Sequence, residues 1–132
     1  MDPLPDPLVA LLRGPNPCFV ATVEPDGAPQ LTQTWVDTDG AHVVLNTVEG
    51  HRKLANMRRD PRVVVNVCER ADLSRYWVLR GHVVDTTSEG AAESIEALSR
   101  RYTGGPYQNY GGRDGGRVLV RIAVDRIVQQ PW

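Results

Sequence analysis

The sequence predicts a mainly antiparallel β-barrel with peripheral helices. Three observations point to it: short β-branched runs recur along the chain, Asp-Gly and Pro-Asp-Gly turn chemistry separates the early ones, and the helix-period segments are few and short. Six or seven strands and two or three short helices are expected, in a single domain over residues 1–132.

Asp6-Pro7 followed by LVALLR and Gly14 reads as a first short helix, with Asp6 as its cap and glycine just past its end. Three strand-like runs follow: CFVATV (18–23), PQLTQTWV (29–36) and AHVVLNTV (41–48). The separators Glu24-Pro25-Asp26-Gly27 and Asp37-Thr38-Asp39-Gly40 make these a meander. HRKLANMRRDP then spaces Leu54 and Met57 three apart, holds no β-branched residue and ends at Asp60-Pro61, which predicts a short basic helix. RVVVNV (62–67) is a buried strand, and YWVLRGHVVD (76–85) a longer one in which Gly81 marks a bulge or bend. Thr86-x-x-Glu89 has the spacing of a capping box ahead of a helix to about Tyr102. Ile95, Leu98 and Tyr102 form its inner face, and Glu96 is placed to face Arg100. A Gly-rich loop, 104–116, precedes the closing strands RVLVRIAV (117–124) and RIVQ (126–129).

Fifteen Lys and Arg against sixteen Asp and Glu give a net charge of −1, which argues against a nucleic-acid reader or a binder of anionic membranes. No apolar run approaches the ~20 residues of a spanning helix, and the acidic start is unlike a signal peptide, so a cytoplasmic location is expected. Cys18 and Cys68 read as two free buried thiols. His42, His51 and His82 are far apart and lack ligand spacing, so no metal is expected.

The informative segment is Asn46-Thr47-Val48-Glu49-Gly50-His51-Arg52-Lys53, where a strand runs into a helix. A helix start already carries partial positive charge, so Arg52 and Lys53 in the first turn are mildly unfavourable there, by a few tenths of a kcal/mol. A bound anion would compensate, held by free amides, a guanidinium, an ammonium and the Thr47 hydroxyl. The competing reading is a solvated basic face, with Glu49 and Asp60 as neighbours of Arg52, Lys53, Arg58 and Arg59. Trp35 and Tyr76-Trp77 fall on strands and are either core plugs or a wall for a planar ring. The polar Thr32, Gln33 and Thr34 beside Trp35 are unusual for a purely apolar strand, and such a strand has hydrogen bonds to offer a heterocycle.

The order FVATVEPDGAPQLTQTWVDTDGAHVVLNTVEGHRKLANMRRDPRVVVNV, then YWVLRGHVVD, then a helix ending SRRYTGG and the strand RVLVRIAVDRIV, resembles the split β-barrel flavin and deazaflavin oxidoreductases. Within them it is most similar to the actinobacterial branch named for pyridoxamine 5′-phosphate oxidase but using coenzyme F420. The similarity spans roughly Val9 to Val128. Its most specific part is strand, T-x-x-x-x-R-K, helix, R-D-P-R, strand, and the next is the hairpin from Ala21 to Pro29.

The resemblance implies a split barrel with the cofactor phosphate on Arg52 and Lys53, helped by Asn46 and Thr47. It implies main-chain contacts of Thr34, Trp35 and Val36 with an isoalloxazine-like ring, and a closing strand at Tyr76 and Trp77 near a homodimer interface. The implied activity is hydride transfer from reduced F420 to an unsaturated small molecule. An FMN enzyme or flavin reductase, and a non-catalytic cofactor-binding protein, are the alternatives. The arginines at 52, 58 and 59 fit the anionic poly-γ-glutamate tail of F420.

Overall fold

The computed structural model describes residues 3–109 and 116–131. In chain order the elements are α1 (Asp6–Leu12), β1 (Cys18–Val23), β2 (Pro29–Thr34), β3 (Val36–Thr38), β4 (Val43–Val48), α2 (Arg52–Arg59), β5 (Arg62–Cys68), β6 (Tyr76–Thr87), α3 (Ala91–Thr103) and β7 (Arg117–Gln129). The seven strands form one sheet in the order β2-β1-β5-β6-β7-β4-β3, and every pairing is antiparallel.

That order fixes the curl of the sheet. Its two edge strands, β2 and β3, are joined by Trp35 alone. Consecutive Cα atoms are ~3.8 Å apart, so the first and last strands of a seven-stranded sheet must meet within two such steps. The sheet therefore rolls into a half-barrel whose edges touch at Trp35. Thr34 is registered with Cys18 on β1, whereas Val36 is registered with Leu45 on β4.

The predicted strand 29–36 is therefore two strands, and the predicted meander is interrupted. Apolar alternation reports which residues face inward but carries no information on the neighbour they pair with. β3 also occupies part of the expected turn, and the turn moves on to Asp39, whose carboxylate accepts from the backbone N–H groups of Ala41 and His42 at 2.9 and 2.7 Å.

The concave face carries the core, with Val20, Leu45, Val65, Leu79, Val120 and Ile122 almost fully buried, and α1 and α2 cap it with Leu8, Leu12, Leu54 and Met57. The expected inner face of α3 is present, with Ile95 and Leu98 buried and Tyr102 partly so.

Local capping expectations fared worse. The first helical bond of α1 runs from the Val9 N–H to the Pro5 carbonyl at 3.0 Å, so Pro5 opens the helix and Asp6 lies one position inside. Thr86 does not cap α3: the β6–β7 ladder continues through Thr86 and Thr87, and the helix starts only after Gly90 at φ 78°. A long-range ladder outweighed one side-chain cap. Glu96 turns from Arg100 and accepts from the Tyr107 backbone N–H at 3.1 Å. The two predicted closing strands are the single β7, whose first half pairs with β4 and whose length pairs with β6.

Gly81 behaves as expected. The β6–β7 register shifts between Arg80 and Gly81, and a Cβ at Gly81 would stand 2.2 Å from the Ala123 carbonyl oxygen. Both cysteines are free and buried. Cys18 lies opposite Val67 and faces inward with it, so Cys68, the next residue, faces the other way. Residues 110–115, part of the Gly-rich loop expected over 104–116, lie outside the described residues.

Candidate functional site

A cavity of about 540 Å³ opens where the barrel edges meet, within the usual range for small-molecule sites. Its wall is aromatic. Trp35 projects from the β2–β3 junction and stacks on Tyr102 of α3, with ring centres 5.3 Å apart and planes 12° apart. Tyr107 meets Trp35 edge-on at 6.4 Å and 82°. The Tyr102 phenol donates to the Asn16 carbonyl at 2.7 Å and accepts from the Val36 N–H at 3.3 Å, which ties α3 to the seam. Burial pushes that phenol up to about 12.

The floor is cationic. Lys53, one residue into α2, turns inward and is 8% exposed. Arg117 opens β7. Its Nε donates to Asn46 Oδ1 at 2.9 Å, its Nη1 reaches the Tyr107 phenol at 3.4 Å, and its guanidinium lies 5.2 Å from that ring's centre. Asn46 is itself held by donating to the Ala91 carbonyl at 2.8 Å. His51 stands before α2, with Nδ1 2.9 Å from Thr47 Oγ1.

Of the thirteen described residues that line it, three are cations, Lys53, Arg70 and Arg117, one is His51 and none is acidic. Neither Lys53 nor Arg117 meets a carboxylate among the described residues. Burial holds the Lys53 ammonium below the ordinary lysine range; the Cys18 thiol opposes that shift and the like charge of Arg117 adds to it. Burial lowers Arg117 too. Two desolvated cations facing one cavity, with no counter-charge among the described residues, is the arrangement expected of a receptor for an oxyanion.

The predicted site residues separate into groups. Thr34, Trp35, Asn46 and Lys53 line the cavity, and Thr47 stands behind it through His51. Val36 is wholly buried beside the seam. Arg52 points outward at 73% side-chain exposure, with a long 3.4 Å contact to Glu24. Tyr76 is exposed on β6 and Trp77 is buried in the core, and neither lines the cavity. Arg58 makes two 2.8 Å bonds to Glu49, and Arg59 donates to the Val23 carbonyl and to Asn56 Oδ1. The basic run is thus mostly committed elsewhere, and the row of free arginines inferred for an anionic tail is absent from it.

Sequence reasoning gave Arg117, Tyr102 and Tyr107 no cofactor role. Tyr102 had a signal, since it lies on the inner face of its helix with Ile95. Arg117 had none: it reaches the site only because β7 pairs with β4, Arg117 opposite Val48.

A sequence profile described as pyridoxamine 5′-phosphate oxidase matches residues 4–130. The chain belongs to that family. Members bind flavin-like cofactors and are typically dimeric. Among solved structures, the family fold recurs in a protein named F420 reductase, at 27% identity and TM-score 0.81, over 96% of this chain and 100% of that one. A conserved hypothetical protein of Mycobacterium tuberculosis matches at 26% identity and TM-score 0.69, over 96% and 84%. HupZ of Group A Streptococcus shares the fold at 17% identity and TM-score 0.66, over 98% of each chain. No functionally curated protein matches the sequence. Among the described residues no helix is long and apolar enough to cross a membrane.

Proposed function

We propose that the chain is an oxidoreductase that binds coenzyme F420 and passes a hydride from its reduced form to an unsaturated small molecule, acting as a cytoplasmic homodimer. The observation that carries the reading is the cavity in which, among the described residues, no acid lines the wall and no carboxylate meets Lys53 or Arg117 at the floor, with Trp35, Tyr102 and Tyr107 as its wall. Membership of a flavin-binding family and the likeness to a protein named F420 reductase support the cofactor.

The residues present fit a phosphate-bearing, ring-containing group. Lys53 and Arg117 would take the phosphate, joined by the His51 ring and the open amides of the first turn of α2, with Asn46 holding the guanidinium in place and Thr47 the imidazole. Thr34, Trp35 and the main chain at Val36 would flank the ring. Bound F420 supplies the hydride chemistry itself. The protein positions the ring and excludes water with its aromatic wall, so no catalytic acid is assigned.

The dimer is supported by the convex face. The register places Leu31, Ala21, Val64 and Arg80 in one row, and Gln33, Phe19, Asn66 and Val78 in the next. Leu31 is 67% exposed there, Val64 and Tyr76 37% each, and Gln33 of the cavity rim lies on the same face. A second copy on this face would reach the cavity, which gives Tyr76 a role at the interface while Trp77 secures its strand from the core side.

FMN is the second reading. The commitment of Arg58 to Glu49 and of Arg59 to Val23 and Asn56 favours it, because a cofactor ending at its phosphate needs no arginine row. Fluorescence titration of the purified protein with F420 and with FMN separates the two. Tight F420 binding, lost in the Lys53→Ala and Arg117→Ala variants, is expected. FMN binding alone would replace the cofactor, and binding of neither would overturn the site. Oxidation of reduced F420 by enones, quinones or tetrapyrroles then separates an enzyme from a carrier.

A further inference from the structure

A second cavity, of about 570 Å³, lies away from the first, between the β1–β2 hairpin and the bulged middle of β6 and β7. Its floor is apolar, from Ala21, Val63, Val64 and Gly81, and its charged lining is Arg62, Arg80, Arg126 and Asp125. Two of these charges are accounted for. Arg62 is held by Asp60 through bonds of 3.0 and 2.7 Å, and Asp125 faces His82 Nδ1 at 2.9 Å. Arg80 and Arg126 are not: neither makes an ion pair or side-chain hydrogen bond with any described residue.

The register sets these two arginines directly opposite each other across β6 and β7. Like charges at opposed positions destabilise a sheet, and opposed side chains on one face start only about 5 Å apart at Cβ, within reach of a common group. The ladder also shifts register on both sides, between Val78 and Leu79 and between Arg80 and Gly81. Bulges re-aim the side chains next to them, and this one is built in, because only glycine tolerates the approach of the Ala123 carbonyl at position 81.

We propose that this cavity is a second oxyanion site, in which Arg80 and Arg126 grip one phosphate or carboxylate group and the apolar floor carries the small body attached to it. Paired guanidiniums match an oxyanion by parallel N–H donors, and an anion between them turns a repulsive pair into an attractive one. The site shares no lining residue with the cofactor cavity, but Ala21, Val64 and Arg80 belong to the convex row proposed above as the dimer face, so it rests on a dimer that leaves the Arg80 end of that row open.

The test is calorimetric titration of the full, cofactor-free chain with inorganic pyrophosphate in chloride buffer. Two binding events per chain are expected. Arg80→Gln with Arg126→Gln should weaken one at least tenfold, and Lys53→Gln with Arg117→Gln should remove the other. A single event in the wild type, abolished by the Lys53 and Arg117 changes and untouched by the Arg80 and Arg126 changes, overturns the second site and leaves the cofactor cavity standing. A single event with the reverse pattern supports the second site and removes the cofactor cavity. Unchanged binding with an altered molar mass by light scattering, in the Arg80 and Arg126 variant, overturns the proposal in favour of a second copy facing the pair. Should the double variant lose its circular dichroism, Arg80→Gln and Arg126→Gln singly decide: each should weaken the second event at least threefold, and no change in either overturns it.

Discussion

Replacing Lys53 with methionine should move stability and binding in opposite directions. The side chain is 8% exposed, has no carboxylate partner among the described residues and faces Arg117, so in the cofactor-free protein its charge is a burden. Apolar replacement of buried ions is neutral or stabilising by ~1–4 kcal/mol, and one ion with some access to the cavity belongs at the low end, about 1–2 kcal/mol. With 132 residues and ~2.1 cal/mol/K of unfolding entropy per residue, each kcal/mol is about 3.6 °C, so Tm should rise by roughly 4–7 °C. The ammonium's bond to an oxyanion is worth ~1.5–3 kcal/mol, so cofactor affinity should fall about 10- to 150-fold. The pH dependence carries the same signature. A lysine whose folded pKa is lowered releases its proton first in the folded state, so as pH rises through that lowered value toward 10.5 the stability of the wild type should gain on that of the variant, while the buried thiols act alike in both. Scanning calorimetry from pH 7 to 10 and fluorescence titration measure both. A lower Tm with unchanged affinity for F420 and FMN would refute the reasoning, because Lys53 would then be satisfied inside the fold.

Tyr102→Phe should cost about 1–3 kcal/mol by urea unfolding, since it leaves the Val36 N–H and Asn16 carbonyl without a partner. In the wild type Tyr102 should titrate by ultraviolet absorbance near 12. Its folded pKa is raised, so its contribution to stability is present below pH 10 and fades as pH climbs through 12. Leu79→Ala, at 1% exposure in the barrel, should lower stability by about 2–5 kcal/mol with an unchanged urea m-value. Gly81→Ala forces a Cβ against the Ala123 carbonyl and should destabilise by at least ~1–3 kcal/mol, with loss of amide protection along β6 and β7. Arg58→Ala should leave cofactor affinity within twofold, because its guanidinium serves Glu49.

Features that rest on one residue or one short window were legible in the sequence. Gly81 announced its bulge because a glycine inside a β-branched run has little other use, and the 52–59 helix was visible from Leu54, Met57 and the lack of β-branching. Features that depend on pairing were hidden. Trp35 divides two strands only because Thr34 and Val36 find different neighbours, and Thr86 lost its cap to a ladder formed with a strand thirty residues on. The site divides the same way. Arg52 and Lys53 stand side by side in sequence, yet successive helical residues are ~100° apart, so one faces water and the other the cavity. Arg117 comes from the far end of the chain and enters through the β4–β7 ladder.

The one-residue link at Trp35 makes the barrel's fastening and the cavity's wall the same object. Any motion that parts β2 from β3 must pass through that residue's backbone and unstack its ring from Tyr102. A ring lying against Trp35 would thus act on the seam as well as on the site. By mass action, a ligand that binds only the fastened state lowers the population of the unfastened one in proportion to its occupancy. Amide exchange at Thr34 and Val36 would then slow as cofactor is added, while exchange at the distant β5–β6 ladder would keep its pace, so the seam becomes an internal gauge of how full the cavity is.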